Sequence, residues 1–402
     1  MSEKPIYLDN NATTPLHPKV AEEMHRCGAA QLANPASQHE AGRRARHVLE
    51  DTRDQIAEAV GAKTDGASTD QVIFTSGATE ANNLAIHGLA GTPPGEIIVS
   101  AIEHPSVMLP AQHLAQNGFK LRILPVDGNG VAHLSDLEAL VSKQTRLVCL
   151  MLGNNETGAL QPVAAIAGKC RELGIPVHTD AVQVAGKLPI SFRKYEVATM
   201  SISAHKFHGP RGIAVLVVRH GMQLSPLMFG GFQQSGLRPG SETIELAIGL
   251  LKALDLFHEN QPEWIRHLCE VRDRFEAELS SRWPTIVVNS AGAERLPHTS
   301  NISFPGFGRQ ALLMALDREG VACATGSSCA SGSTEPSPVL RAMGCDEKLL
   351  HSALRFSFGA FNTVEEVDES VGRIVRALKD LQSRRRARKS PRPAPRQASK
   401  GL

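Results

Sequence analysis

The chain has 402 residues, 42% apolar and 21% charged with a net charge of +2, which supplies large packed cores and excludes a disordered, collagen-like or disulfide-stapled protein. Its longest apolar runs, such as Leu147 to Leu152 and Ile213 to Val218, fall far short of the roughly 20 residues of a membrane helix, and Met1-Ser2-Glu3-Lys4-Pro5 lacks a signal peptide's apolar stretch. Seven cysteines without a Cys-x-x-Cys pair fit free thiols in a reducing compartment, so we expect a soluble, cytoplasmic protein with no membrane partner.

Strand-length apolar runs recur at Gln71 to Thr75, Glu96 to Ser100, Leu121 to Leu124, Arg146 to Leu152, Ile175 to Thr179, Val197 to Ser203 and Ile213 to Val218. Helix-like stretches at Ala81 to Leu89, Leu134 to Val141 and Val163 to Leu173 lie between several of them. Such alternation predicts an α/β fold with a mostly parallel seven-stranded sheet covered on both faces. From Ile244 the pattern is helical through Leu279, and Trp283-Pro284 ends it. Shorter strand-like pieces follow at Thr285 to Asn289, Asn301 to Phe304 and Ala353 to Phe358, then a helix from Val364 to Leu381. The expected division is a large α/β domain over residues 16–260 and a smaller α+β domain from residues 1–15 and 261–382.

Residues 383–402 hold eight basic side chains and no acidic one. Setting those eight aside leaves 35 basic against 41 acidic residues, a net of −6 over residues 1–382. With three prolines and almost nothing apolar, this basic tail is predicted to be disordered. It is either a solvated terminus or an arm for nucleic acid or a membrane surface.

Polar residues gather where the strand-like runs end, and ligands of open α/β sheets bind outside the carboxyl ends of strands. Val72-Ile73-Phe74-Thr75-Ser76-Gly77-Ala78-Thr79-Glu80 passes from a strand through small residues into a helix. The Ala78 and Thr79 amides there form either an anion site or a plain helix cap. Asp180 ends an apolar strand, where it meets a cation or caps the next helix. Ser203-Ala204-His205-Lys206 brings three functional groups to another strand end. Lys206, between apolar flanks, is either a Schiff-base amine or a solvated lysine. His205 and His208 stand at i, i+3 with no carboxylate or thiol at ligand spacing, so no metal is expected.

The turn, the strand-end Asp and the Ser-x-His-Lys stretch, in that order, resemble the pyridoxal-phosphate enzymes of the aspartate-aminotransferase fold (type I). More narrowly, the chain is similar to the NifS/IscS group of cysteine desulfurases in the class V aminotransferase family. The likeness runs from Tyr7-Leu8-Asp9-Asn10-Asn11-Ala12-Thr13-Thr14-Pro15 to the helix near Leu381. It includes Asn34-Pro35-Ala36-Ser37, Glu103-His104, Asn154-Asn155-Glu156-Thr157-Gly158 and Leu354-Arg355-Phe356-Ser357. Its most specific element is the Ser/Gly-rich Thr325-Gly326-Ser327-Ser328-Cys329-Ala330-Ser331-Gly332-Ser333.

The resemblance implies pyridoxal 5'-phosphate as cofactor, L-cysteine as substrate and a homodimer. Lys206 would bond the cofactor's aldehyde carbon, and Ala78, Thr79, Ser203 and His205 would hold its phosphate. Asp180 would pair with the ring nitrogen and Gln183 with the ring oxygen, while His104 stacks on the ring and Asn155 lies against the cofactor. Arg355 would take the substrate carboxylate with Asn155 and Asn34. Lys206 would remove the Cα proton, His104 would manage protons nearby, and Cys329 would receive the sulfur as a persulfide, releasing alanine. The partner's Ser241, where the family usually has Thr, would reach the phosphate, and Gln234 stands where the family usually has Glu. The sulfur would pass to an acceptor protein, an iron–sulfur scaffold or a thiolation protein. The chain would have no metal of its own, Cys329 at most ligating a scaffold's iron–sulfur cluster in passing. Relatives end in a scaffold-docking segment where this chain carries its basic tail. The same class holds two alternatives, a selenocysteine lyase and an aminotransferase.

Overall fold

The structure, a computed structural model, describes residues 4–326 and 335–389, with side chains through residue 385. The chain opens with β1 (Ile6–Tyr7), α1 (Pro18–Ala29) and α2 (Glu40–Ala59). There follow β2 (Gln71–Thr75), α3 (Ala78–Ala90), β3 (Gly95–Ser100), α4 (Pro105–Gln116), β4 (Phe119–Leu124) and α5 (Leu134–Leu140). The next stretch holds β5 (Thr145–Cys149), α6 (Val163–Glu172), β6 (Val177–Asp180), α7 (Phe192–Tyr195), β7 (Thr199–Ser203) and β8 (Ala214–Val218). These strands build a seven-stranded sheet in the order β2-β8-β7-β6-β5-β3-β4. Only β8 runs antiparallel to its neighbours, so the other six share one direction, as the sequence predicted.

Both faces of that sheet are covered, which explains why its strands read as unbroken apolar runs. Along β8, Val215 and Val217 enter the core beneath α1, α2, α6 and the long helix described below, while Leu216 and Val218 pack against α3. Ile98 points to the first face, and Ile97 and Val99 to the second, under α3 and α4. This two-residue alternation splits one buried run between two cores. The carboxyl ends of β2, β3, β5, β6 and β7 consequently meet at one edge.

The rest comprises α8 (Ile244–Arg282), β9 (Val287–Val288), β10 (Thr299–Ser303), α9 (Arg309–Arg318), β11 (Val321–Ala322), α10 (Pro338–Ala342), α11 (Glu347–Leu350), β12 (Ala353–Ser357) and α12 (Val364–Lys389). β10 sits between β12 and β9 in an antiparallel sheet. The 39-residue α8 serves both cores. Its Ile244, Ala247, Leu250, Leu254 and Leu256 join the large core, and its Leu268, Val271, Phe275 and Leu279 join the second. Pro262 lies between these two groups, where the missing N–H leaves a gap in the helical ladder.

The N-terminal segment ties the two cores together. β1 pairs in parallel with β11, Ile6 opposite Val321, and Asp9 bridges to Ser357. Beyond it, Asn11 N donates to Ser357 Oγ (2.9 Å) and Thr14 N to His205 O (2.9 Å). The basic tail needs a correction. Its start does not escape the fold, because α12 continues through Lys389. Arginine is a good helix former, the first proline of the tail comes only at 391, and the turn is pinned locally. Arg384 Nε donates to Asp380 Oδ1 (3.1 Å), and Arg385 Nη1 donates to Gly306 O. Residues 390–402 lie outside the described residues.

Candidate active site

A cavity of about 310 Å³ opens at the carboxyl edge of the sheet. Ala78, Thr79, His104, Asn155, Asp180, Gln183, His205, Lys206 and Arg355, all singled out from sequence, line it. The wall also includes Asn11, Ala12 and Ser106, which sequence reasoning did not assign. Each side chain arrives by the element before it. β2 runs into Gly77, whose added Cβ would meet nothing within 4 Å, so the backbone there lies open. No side chain caps α3, and the N–H groups of its first turn lack intrahelical partners. β6 delivers Asp180, and β7 passes into a single 3₁₀ turn, Ala204–Lys206, that delivers Lys206.

Lys206 Nζ donates to Asn11 O (2.5 Å) and Ala12 O (2.9 Å), so the N-terminal segment holds the amine. Asp180 is 7% exposed and accepts from Val182 N (2.9 Å) and Asn82 Nδ2 (2.8 Å). His104 is the N-cap of α4, with Pro105 fixing the first turn behind it. Its pKa is lowered chiefly by burial, opposed by Asp180 and reinforced by Lys206 and Arg355. His205 is pushed down to about 4 by burial and by Lys206, Lys187 and Arg211. It is therefore a neutral ring at neutral pH, with Nδ1 at 3.2 Å from Thr13 Oγ1. His208 is structural: its ring lies between Pro15 O (2.9 Å, to Nδ1) and the N–H of Ala360 (3.3 Å, to Nε2).

Arg355 is 1% exposed and heavily used. Its Nη2 donates to Asp9 Oδ1 (2.7 Å), and its Nη1 to Asn155 O (3.0 Å) and Gly326 O (2.7 Å). Its buried Nε has no partner among the described residues. Gly326 precedes the segment that carries Cys329, which lies outside the described residues. At φ +118°, Gly326 faces Glu156, and an added Cβ would come within 2.5 Å of Glu156 Oε2. That same oxygen accepts from Ser337 Oγ (2.6 Å), so one buried carboxyl borders both ends of the segment.

Glu103, next to His104, accepts from Ser100 Oγ (2.6 Å) and Met151 N (2.7 Å), yet burial pushes its carboxyl up to about 8. An unfolded glutamate titrates at roughly 4.3, so the folded state keeps a proton that the unfolded chain releases. The resulting stability is complete at acidic pH and is lost as pH rises through about 8. Glu103→Gln keeps the acceptor oxygen and is expected to flatten this decline in urea unfolding from about pH 6 to about pH 9. Equal slopes in variant and wild type would remove Glu103 from that pH range.

Three expected residues among those described do not line this cavity. Asn34 is exposed, outside the cavity lining, and its Oδ1 accepts from Ala36 N (2.9 Å) in its own turn. Ser241 is exposed beside Arg238 and Glu242, on a loop away from the cavity of its own chain. Ser203, at the end of β7, does not line the cavity either, and its Oγ is buried and unpartnered among the described residues. Gln234 now has a reason. Its Oε1 accepts from Phe74 N (2.6 Å) and its Nε2 donates to Phe74 O (3.0 Å). An amide thus pairs with the open edge of β2 just before Ser76, which a carboxylate, lacking a donor, does not match.

The Aminotransferase class-V family pattern matches residues 6–369. The cysteine desulfurase IscS of Dictyoglomus turgidum is 38% identical over 384 residues, 95% of this chain and 96% of the relative. A solved NifS-like protein superposes with a TM-score of 0.86 at 34% identity, covering 94% of this chain and 100% of its own. A second solved structure, SspA in complex with cysteine, gives a TM-score of 0.76 at 31% identity over 89% of this chain and 99% of its own. With these likenesses running from the N-terminal segment through Arg355, the chain belongs to the class V aminotransferase family, in its NifS/IscS group of cysteine desulfurases.

Proposed function

We propose that the chain takes the sulfur of L-cysteine onto Cys329 and releases L-alanine, with pyridoxal 5'-phosphate in the cavity. The observation that carries this reading is the convergence of Lys206, Asp180, His104 and Arg355 on one cavity. The donor set fits the cofactor: uncapped amides at α3, Ser203 Oγ and Gln183 Oε1 without partners among the described residues, an acceptor in Asp180 and an amine in Lys206. Ala78, Thr79, Ser203 and His205 would hold the phosphate, Asp180 the ring nitrogen and Gln183 the ring oxygen, with His104 against the ring face and Asn155 beside it. When bound, the cofactor supplies an electron sink for the pair left at the substrate Cα.

The remaining work falls to the protein. Arg355 orients the substrate carboxylate, and Asn155 lies beside it. Lys206 Nζ carries the proton taken from Cα. The Cys329 thiolate forms an S–S bond with the substrate sulfur as the C–S bond breaks, and protons return to the alanine product. One thiol and L-cysteine thereby become one persulfide and L-alanine. Burial raises the thiols of Cys149, Cys170 and Cys323, which favours none of them as the nucleophile. Phe229 and Phe232 are 89% and 95% exposed on the loop before Ser241. Such an apolar rim supports a homodimer in which the partner's Ser241 completes the phosphate site. The sulfur then moves to an acceptor protein, an iron–sulfur scaffold or a thiolation protein.

A single-turnover mixture of holoenzyme and L-cysteine is the test. Alanine release with a sulfur-mass increase on the Cys329 peptide is expected. Cys329→Ser is expected to keep the absorbance of the bound cofactor and to form no protein persulfide. Wild-type desulfurase activity in that variant would overturn the assignment.

A further inference from the structure

Behind the cavity, a buried chain of polar groups ends on His104. Asn82, on α3, is 0% exposed. Its Nδ2 lies 2.8 Å from Asp180 Oδ2 and 2.8 Å from Ser106 Oγ. Ser106 Oγ is in turn 2.7 Å from His104 Nδ1, and Ser106 N donates to the same nitrogen (3.1 Å). On its other side, Asn82 Oδ1 meets His178 Nε2 (3.0 Å) and the Ser201 hydroxyl. His178 Nδ1 is 2.9 Å from Thr199 Oγ1.

Donor and acceptor chemistry orders every proton in this chain. A carboxylate only accepts, so the Asn82 amide turns its NH₂ toward Asp180. The second hydrogen of that NH₂ goes to Ser106 Oγ. Ser106 has a single hydroxyl hydrogen, and with Asn82 donating into its oxygen, that hydrogen points to His104 Nδ1. Nδ1 thus receives two donors and carries no proton of its own. The one proton of the neutral ring is left on Nε2. Asn82 Oδ1 in the same orientation accepts from Ser201 O–H and His178 N–H, so no member of the chain conflicts with another.

We propose that Asn82 and Ser106 are positioning residues that transmit the orientation of the Asp180 carboxylate to His104 and hold its ring as the Nε2–H tautomer. His104 then presents an N–H, rather than a lone pair, at Nε2 while neutral. Protonation requires Nδ1 to give up its bond from Ser106. The charged groups facing the ring are Asp180 from β6, Lys206 after β7 and Arg355 from β12. The use of this tautomer in turnover rests on the desulfurase reading, whereas the tautomer itself is measured without turnover.

The experiment is nitrogen NMR of the holoenzyme carrying isotope-labelled histidine, with His104 identified by loss of its signals in His104→Gln. Wild type is expected to show a protonated Nε2 and an unprotonated, hydrogen-bonded Nδ1 at neutral pH. A protonated Nδ1 would overturn the proposal whatever the enzyme's activity. Ser106→Ala removes one of the two donors to Nδ1, so the neutral ring loses support. The His104 pKa is expected to rise by about half to one pH unit, and Ser106→Thr, which keeps the hydroxyl, is expected to restore it. An unmoved His104 titration in Ser106→Ala would reduce Ser106 to a packing role. Should that variant fail to fold, the wild-type spectrum still decides the tautomer.

Discussion

Lys206→Ala is expected to lose the visible absorbance of the lysine-bound cofactor and to slow alanine release from L-cysteine roughly 10³-fold or more. The size follows from the two duties that the proposed function gives one nitrogen: it would bond the cofactor at rest and carry the Cα proton during turnover. The amine is positioned for both, because Asn11 O and Ala12 O hold Nζ at the cavity wall. Absorbance scans and a stopped assay for alanine read the two duties separately. An unchanged spectrum would move the cofactor to another amine, and Lys187 is the one to examine. It is 4% exposed, its Nζ is unpartnered among the described residues, and burial beside Lys206 drives its pKa well down.

Arg355→Ala is expected to fail in two ways at once. Loss of a fork that receives a carboxylate costs about 1.5–3 kcal/mol, so the KM for L-cysteine should rise about 10- to 100-fold. The same change strands the Asp9 carboxylate and frees Asn155 O and Gly326 O from their donor. The Asp9 side chain is 21% exposed, so breaking the pair from one side costs less than the roughly 3–5 kcal/mol of a fully buried one, but with two carbonyls also released it is visible as a fall in Tm. Arg355→Lys keeps the charge without the planar fork. It should recover much of the Tm and little of the KM. An unaltered KM in both variants would take the carboxylate elsewhere.

The parts of this fold legible in sequence are those whose burial is set by one strand or one stretch of helix. Ala214–Val218 and Gln71–Thr75 announce themselves because strands covered on both faces need continuous apolar side chains. α1, α2 and α4 were not anticipated. In α2 the buried positions Ala45, Leu49, Thr52, Ile56 and Ala57 are scattered among charged residues, so no unbroken run marks it. The candidate site divides in the same manner. Asp180 ends an apolar strand, and Thr79 and Lys206 follow one within four residues, where a polar residue is conspicuous. Asn82 reaches Ser106 and Asp180 only across 24 and 98 residues of sequence. The one local hint was an asparagine beside buried Ala81, Leu84 and Ala85. Asn34 and Ser241 were placed by family likeness, and a single chain does not bring them to its own cavity.

The N-terminal clip also makes the cavity depend on contacts far apart along the chain. Ile6 pairs with Val321, and Asp9 and Asn11 meet Ser357, while Asn11 O also accepts from Gln183 Nε2 and Thr14 N donates to His205 O. The carbonyls that steady Lys206 are thus anchored from the large sheet and the small one together. Closing so long a loop adds little entropy beyond that of a shorter one. The placement of the lysine amine is therefore tied to the docking of both cores, and loosening either one loosens its clamp.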